Sequence, residues 1–167
     1  MTAVEEHKSF APKSVACFVL TVSDTRTDTN DTGGQSIREL LRAAGHTITG
    51  HAIVRDDPEA VVHAVQRQLD GNVQIIITTG GTGITSRDST YEVVSQLIEK
   101  SIEGFGELFR MLSFQEIGSA AMMTRACAGV AAGKVIISLP GSENAVRLAM
   151  TTLILPELGH LVREISR

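Results

Sequence analysis

The segment from Ile75 to Thr90, IIITTGGTGITSRDST, restricts the possible folds more than any other part of the chain. Ile75 to Thr79 are all β-branched. Such residues are stiff at χ1 and fit a pleated surface, and a continuous apolar run without alternation suits a strand buried on both faces. Gly80, Gly81, Thr82 and Gly83 stop the strand, and Ser89 and Glu92 have the spacing of a capping box, which predicts a helix start. Strand, glycine turn and helix together are half of a βαβ unit, so a parallel sheet is expected. A glycine turn of this kind can cradle an anion, because backbone N–H groups point outward and no Cβ keeps a phosphate away. The same glycines also serve a plain β-to-α turn, and this segment alone does not separate the two.

The remaining chain repeats the alternation. Ser14 to Ser23 reads as a central strand, and Asp24 to Gly34 as a polar loop that could act as a substrate loop or lid. Ile37, Leu40, Leu41 and Ala44 mark a helix stopped by Gly45, and His46 to Arg55 alternates as a strand. Pro58 suits the first position of the next helix, with Asp57 as its cap and Asp56 left at the strand tip. Further helices are marked by Tyr91, Val94, Leu97 and Ile98, and by Phe105, Leu108, Phe109 and Leu112, the latter entered through Gly104 and Gly106. Ala126 to Ala132 and Lys134 to Leu139 form a hairpin about Ala132-Gly133, which adds one antiparallel strand. The last helix is broken by Pro156. The pattern predicts an α/β fold: a mostly parallel sheet with helices on both faces, forming a single domain over residues 14–167 behind a flexible arm at residues 1–13.

Composition removes several functions. Net charge is −4 with no basic run, aromatic residues are 4%, and there is no Trp, so no nucleic-acid surface is expected. No apolar run is long enough to span a bilayer and no signal peptide is evident, so no membrane association and a cytoplasmic location are expected. Cys17 and Cys127 fall in apolar runs and read as reduced, buried thiols, and the five histidines lack ligand spacing.

In open parallel sheets, ligands bind beyond the carboxyl ends of the strands. Those ends are Thr21-Val22-Ser23-Asp24, Arg55-Asp56, Thr79-Gly80-Gly81-Thr82-Gly83 and Leu139-Pro140-Gly141-Ser142. All are small, polar or acidic, and right-handed connections bring them to one edge, which favours a phosphate-binding cleft. No GxxxxGK[ST], GxGxxG after the first strand or GxSxG occurs. Asp56 and Asp88 could hold Mg²⁺ between phosphate oxygens, or could serve only as a surface acid and a helix-start charge.

The run Thr78 to Thr90, TTGGTGITSRDST, resembles the signature of the molybdopterin-binding MogA/MoaB family, whose fold also occurs in the G domain of gephyrin. Thr21-Val22-Ser23-Asp24, Glu103 to Arg110 (EGFGELFR) and Leu139-Pro140-Gly141-Ser142 agree in order and spacing, and Phe109 to Gly118 is most similar to the MoaB branch. The resemblance spans Ser14 to Leu161. It implies a three-layer α/β/α sandwich, a homotrimer or homohexamer, and binding of molybdopterin, ATP and Mg²⁺. It also implies adenylylation of the molybdopterin phosphate and partners among other molybdenum cofactor biosynthesis proteins. By the same resemblance Asp56 and Asp88 are the catalytic, metal-holding carboxylates. Gly80, Gly81, Thr82 and Gly83 form the nucleotide loop, and Ser23, Ser113, Gly141 and Ser142 line the site. Glu103 replaces a proline common in relatives, and Ser142-Glu143 replaces the end of a Pro-Gly-x-Pro turn. Beside the adenylyltransferase stand two other readings, a non-catalytic molybdopterin carrier and a structural oligomer.

Overall fold

The structure is a computed structural model that describes residues 8–167. Six strands form one sheet: β1 (Ala16–Val22), β2 (Thr47–Val54), β3 (Ile75–Thr79), β4 (Lys100–Ser101), β5 (Cys127–Ala131) and β6 (Lys134–Leu139). Their order across the sheet is β2-β1-β3-β6-β5-β4. β2, β1, β3 and β6 run parallel, and β5 runs antiparallel to both β6 and β4. The two-residue β4 carries no pattern by which a sequence reading could find it. The hairpin turns where expected: Ala132 and Gly133 both have positive φ, 48° and 70°, as a two-residue turn matching strand twist requires.

The helices are α1 (Thr32–Ala43), α2 (Pro58–Leu69), α3 (Thr90–Leu97), α4 (Glu103–Ile117), α5 (Glu143–Ala149) and α6 (Leu158–Ile165). Side chains alternate across each strand, so the sheet buries two separate faces. On one face Cys17, Val19, Ile75, Ile77, Val135 and Ile137 meet Ile37 and Leu41 of α1, Phe109 of α4, and Val146, Leu158 and Val162 of the C-terminal helices. On the other, Phe18, Leu20, Ile76 and Ile136 meet Val61 and Val65 of α2 and Val93 and Val94 of α3. This is the expected three-layer α/β/α sandwich. Each fully buried Ile or Leu contributes about 1.5–3 kcal/mol relative to exposure, so the β3 run alone anchors both layers. Burial pushes the Cys17 thiol up to about 12 and the Cys127 thiol to about 11, so both stay protonated and unreactive.

Several local expectations are corrected. The loop after β1 ends earlier than Gly34, because Asp31 caps α1 by accepting from the Gly34 N–H at 3.0 Å and so draws Thr32 to Gly34 into the helix. Gly104 and Gly106 lie inside the first turn of α4 rather than ahead of it. Ser89 stands at the N-cap of α3, yet its side chain makes no capping bond. Asp57 does cap α2, accepting from Ala60 N at 2.9 Å, with Pro58 at the first helical position. Beyond α5 a π turn covers Met150–Ile154, and the chain bends by 60° before α6 at Pro156. No single helix among the described residues is long and apolar enough to cross a membrane. Of the expected N-terminal arm, residues 1–7 lie outside the described residues. The rest runs along α6: Lys8 pairs with Glu157, and the Arg163 guanidinium sits 5.4 Å over the Phe10 ring.

Candidate functional site

Parallel strands place the C-terminal ends of β1, β2, β3 and β6 on one edge of the sheet. Gly80 ends β3 at φ 98° and donates its N–H to Leu139 O at 3.0 Å, which ties the ends of β3 and β6 together. A Cβ on Gly141 would lie 3.4 Å from the Gly80 Cα, so the two glycine turns pack back to back. Beside them opens a cleft of about 340 Å³ lined by Ser23, Gly80, Gly141, Ser142 and Arg26. Ser113, buried on α4, lines an adjoining cavity of about 290 Å³ that shares Ser142. Ser142 also caps α5, accepting from Ala145 N at 3.3 Å. Ser23 Oγ accepts from the N–H groups of Thr25 and Arg26, which folds the following loop back over the cleft.

The other predicted residues gather beside this cleft, on the loop after β2 and on the long loop between β3 and α3. Asp56 is 8% exposed and accepts from Ser89 N at 3.2 Å and Ser89 Oγ at 3.0 Å. This is where the expected cap went: the Ser89 hydroxyl serves a distant carboxylate instead of its own helix. Asp56 N in turn donates to Asp24 Oδ1 at 3.2 Å, while Asp24 Oδ2 accepts from Arg87 Nη2 at 2.8 Å. Asp88 accepts from Thr85 N at 2.8 Å and Thr85 Oγ1 at 2.6 Å. Asp56 and Asp88 are thus joined through Ser89 into one network, although Gly81, Thr82 and Gly83 do not line the cleft that holds Gly80. Gly81 lies against Asp56 and Thr90, and Thr82 is buried.

Sequence reasoning assigned no role to Asp24, Arg26, Arg87, Thr90 or Arg125. Arg125 is the most consequential omission. Its Nε donates to Gly83 O at 2.9 Å, its backbone N donates to Thr82 O at 3.2 Å, and its guanidinium pairs with Glu92 and lies 5.0 Å over the Tyr91 ring. It sits in a connection of no regular pattern just ahead of β5, and no local signal marks it. Gly81 O is likewise taken, by Thr90 N at 3.1 Å. The loop carbonyls are therefore engaged, whereas the N–H groups of Gly81 and Thr82 make no hydrogen bond among the described residues.

The Arg87 hydrogen bond holds the Asp24 carboxyl below its ordinary value. Burial pushes Asp88 up, but hydrogen bonds from Thr85 and Gly83 and the Arg125 charge outweigh it and leave the carboxyl lowered. The Arg125 hydrogen bond lowers Glu92. A carboxyl lowered in the folded state stabilises the fold fully above its unfolded value, and that stability is lost as pH falls through the lower folded value. The thermal midpoint is therefore expected to hold steady down to about pH 5 and to fall below about pH 4, with a shallower fall in Asp24→Asn. Thermal unfolding followed by circular dichroism across that range checks this.

Which residues could hold a metal follows from the donor set. Among the described residues no group of three or more His, Cys, Asp or Glu gathers as a complete protein cage. Mg²⁺ bound with a phosphate substrate needs only one or two carboxylates, since water and phosphate oxygens complete its shell. Asp56 and Asp88 supply two hard oxygen donors, and beside Asp56 lies Thr90 Oγ1, a buried hydroxyl without a partner among the described residues. The residues present fit such an ion.

Residues 18–160 match the family model described as a probable molybdopterin binding domain. Over 167 residues the chain is 53% identical to molybdenum cofactor biosynthesis protein B of Bacillus anthracis, covering 99% of each. The chain belongs to the MoaB/MogA family. Its fold superposes on a crystal structure of molybdenum cofactor biosynthesis protein B with a TM-score of 0.91 at 53% identity, covering 94% of this chain and 99% of that one. The tungsten cofactor synthesizing protein MoaB from Pyrococcus furiosus gives 0.85 at 37% identity, covering 94% of this chain and 100% of the other.

Proposed function

We propose that this protein acts in molybdenum cofactor biosynthesis, binding molybdopterin and transferring an adenylyl group from ATP to its phosphate, with release of pyrophosphate. One observation carries the reading: two loop carboxylates, Asp56 beyond β2 and Asp88 just ahead of α3, share a network with a glycine loop whose Gly81 and Thr82 N–H groups make no hydrogen bond among the described residues. A carrier that only held molybdopterin would need the anion site but not a pair of carboxylates beside it.

In this reading a molybdopterin phosphate oxygen attacks the α-phosphorus of ATP, and the bond from that phosphorus to the β-phosphate oxygen breaks. No protein nucleophile is required. Mg²⁺, when bound, offsets charge on the phosphates. Asp56 and Asp88 hold the ion, the loop N–H groups orient phosphate oxygens, and the cleft lined by Ser23, Gly80, Gly141 and Ser142 receives the reactants. Rate acceleration comes from positioning and from donors already aimed at the phosphates. Incubation with molybdopterin, MgATP and pyrophosphatase should yield adenylyl-molybdopterin. Folded protein that binds molybdopterin but makes no product would establish the carrier instead.

A homotrimer or homohexamer belongs to the same proposal. Leu108, Met111, Phe114 and Ile117 run along α4 and are exposed by 48–61%, and Met122, 81% exposed, lies in the turn that follows. Exposed large apolar residues in such number mark an interaction surface, and a second copy of the chain fits it. Light scattering is expected to give a mass of three or six chains, and Phe114→Glu a smaller species. A monomeric parent would refute the assembly.

A further inference from the structure

All peptide bonds among the described residues are trans, so each unit points its carbonyl and its N–H in opposite directions. Two such units carry the acidic tips. In the unit between Thr82 and Gly83, the carbonyl accepts from Arg125 Nε at 3.4 Å and from the Arg125 backbone N–H at 3.2 Å, while the glycine end stands against the Asp88 carboxylate, where a Cβ on Gly83 would lie 2.7 Å from Oδ2. In the unit between Asp88 and Ser89, the carbonyl accepts from Arg125 Nη2 at 3.4 Å while the N–H donates to Asp56 Oδ1 at 3.2 Å. One guanidinium therefore touches the carbonyl ends of both peptides whose other ends meet the two carboxylates. Its own placement is fixed by Glu92, by the Tyr91 ring and by Gly83 O.

We propose that Arg125 is a positioning residue for both carboxylates, holding Asp88 through the Thr82–Gly83 peptide and Asp56 through the Asp88–Ser89 peptide, and so setting their spacing toward a divalent cation. The last clause rests on the metal role given above to the two acids. The physical basis is geometric and electrostatic. A donor that pins a carbonyl also pins the opposed N–H, and a cation at the oxygen polarises the peptide and strengthens its N–H as a donor. The task needs the planar fork of arginine, because three carbonyls must be reached from one rigid group, which a lysine ammonium cannot do. The Ser89 and Thr85 hydroxyls hold the same carboxylates by separate bonds, so loss of Arg125 loosens the pair without freeing it.

The test compares parent protein with Arg125→Gln and Arg125→Lys, without molybdopterin. Amide hydrogen exchange by NMR reads Ser89, bonded to Asp56, directly, with Gly80, bonded to Leu139 O, as internal control. In both variants exchange at Ser89 should quicken about tenfold or more while Gly80 stays unchanged. Mn²⁺ uptake in the presence of ATP, measured by electron paramagnetic resonance, should weaken about 10- to 100-fold, the size of effect seen when a supporting contact behind a metal ligand is removed. Unchanged protection at Ser89 overturns the proposal, and so does lost protection with undiminished Mn²⁺ affinity. Parent protein that takes up no Mn²⁺ removes the metal role itself, and exchange at Ser89 then decides alone whether Arg125 holds the Asp88–Ser89 peptide. Should Arg125→Gln fail to fold, Arg125→Lys carries the same test with the charge retained.

Discussion

Gly80→Ala is expected to destabilise the fold by about 2–5 kcal/mol, from a backbone penalty and a steric one. Gly80 has φ 98°, a conformation that an L side chain adopts only under strain. A Cβ there would also stand 2.1 Å from the carbonyl oxygen of Val22, a backbone atom at the end of β1 that cannot swing aside. Relief would require β3 to move away from β1 and break the Gly80 N–H bond to Leu139 O, so the strain spreads to β6. Against a total stability of about 5–15 kcal/mol, this is a large fraction of what holds the domain together. Gly141→Ala is the natural comparison, since its Cβ would meet the Gly80 Cα at 3.4 Å and the Gly80 N at 3.9 Å, both ordinary contacts. Urea unfolding of the two variants should show a much lower midpoint for Gly80→Ala. Equal midpoints would mean that the sheet edge yields where packing says it is rigid.

Asp56→Asn is expected to reduce the proposed adenylyl transfer about 10²- to 10³-fold with the fold intact. An asparagine Oδ1 can still accept from Ser89 N and Ser89 Oγ, so the connection between the β2 tip and the loop survives. What disappears is one negative charge in a residue only 8% exposed, where little solvent replaces it. Adenylyl-molybdopterin formation with MgATP and pyrophosphatase, set beside a thermal unfolding curve, separates the two effects. A variant that kept more than about a tenth of the parent rate would remove Asp56 from the metal-holding role.

Local chemistry made much of the fold legible before any coordinates. The β3 run, the Asp57–Pro58 helix start, the Ala132–Gly133 turn and the break at Pro156 each follow from backbone preferences acting over a few residues. The misreadings share a different cause. Ser89 has the spacing of a capping residue, but its hydroxyl is claimed by Asp56, 33 residues away in the chain. Asp31 lies in a run of turn-forming residues, and its bonds from the Gly34 N–H at 3.0 Å and from the buried Thr21 hydroxyl at 2.8 Å show it to be a fixed helix cap. The candidate site divides in the same way. Glycines and acids at strand ends could be listed from the pattern, because topology brings strand ends together. Arg125 could not, because its importance lies in carbonyl oxygens that every residue possesses and that no side-chain pattern advertises.

The strand order β2-β1-β3-β6 has a consequence for how the protein is made. As the chain leaves the ribosome, β1 can pair with β2 and then with β3 once residues through Thr79 have appeared. The outer edge of β3 must then wait for Lys134–Leu139, about fifty-five residues later at the start of β6, before its peptide groups find their partner. At synthesis rates of about 5–20 residues per second, that interval lasts some seconds. During it, an Ile75-Ile76-Ile77 strand with an unpaired edge is open to neighbouring nascent chains, the sequence type most prone to sheet-like aggregation. Slower growth at low temperature or a holdase chaperone should therefore raise soluble yield more than any change at the surface of the finished domain.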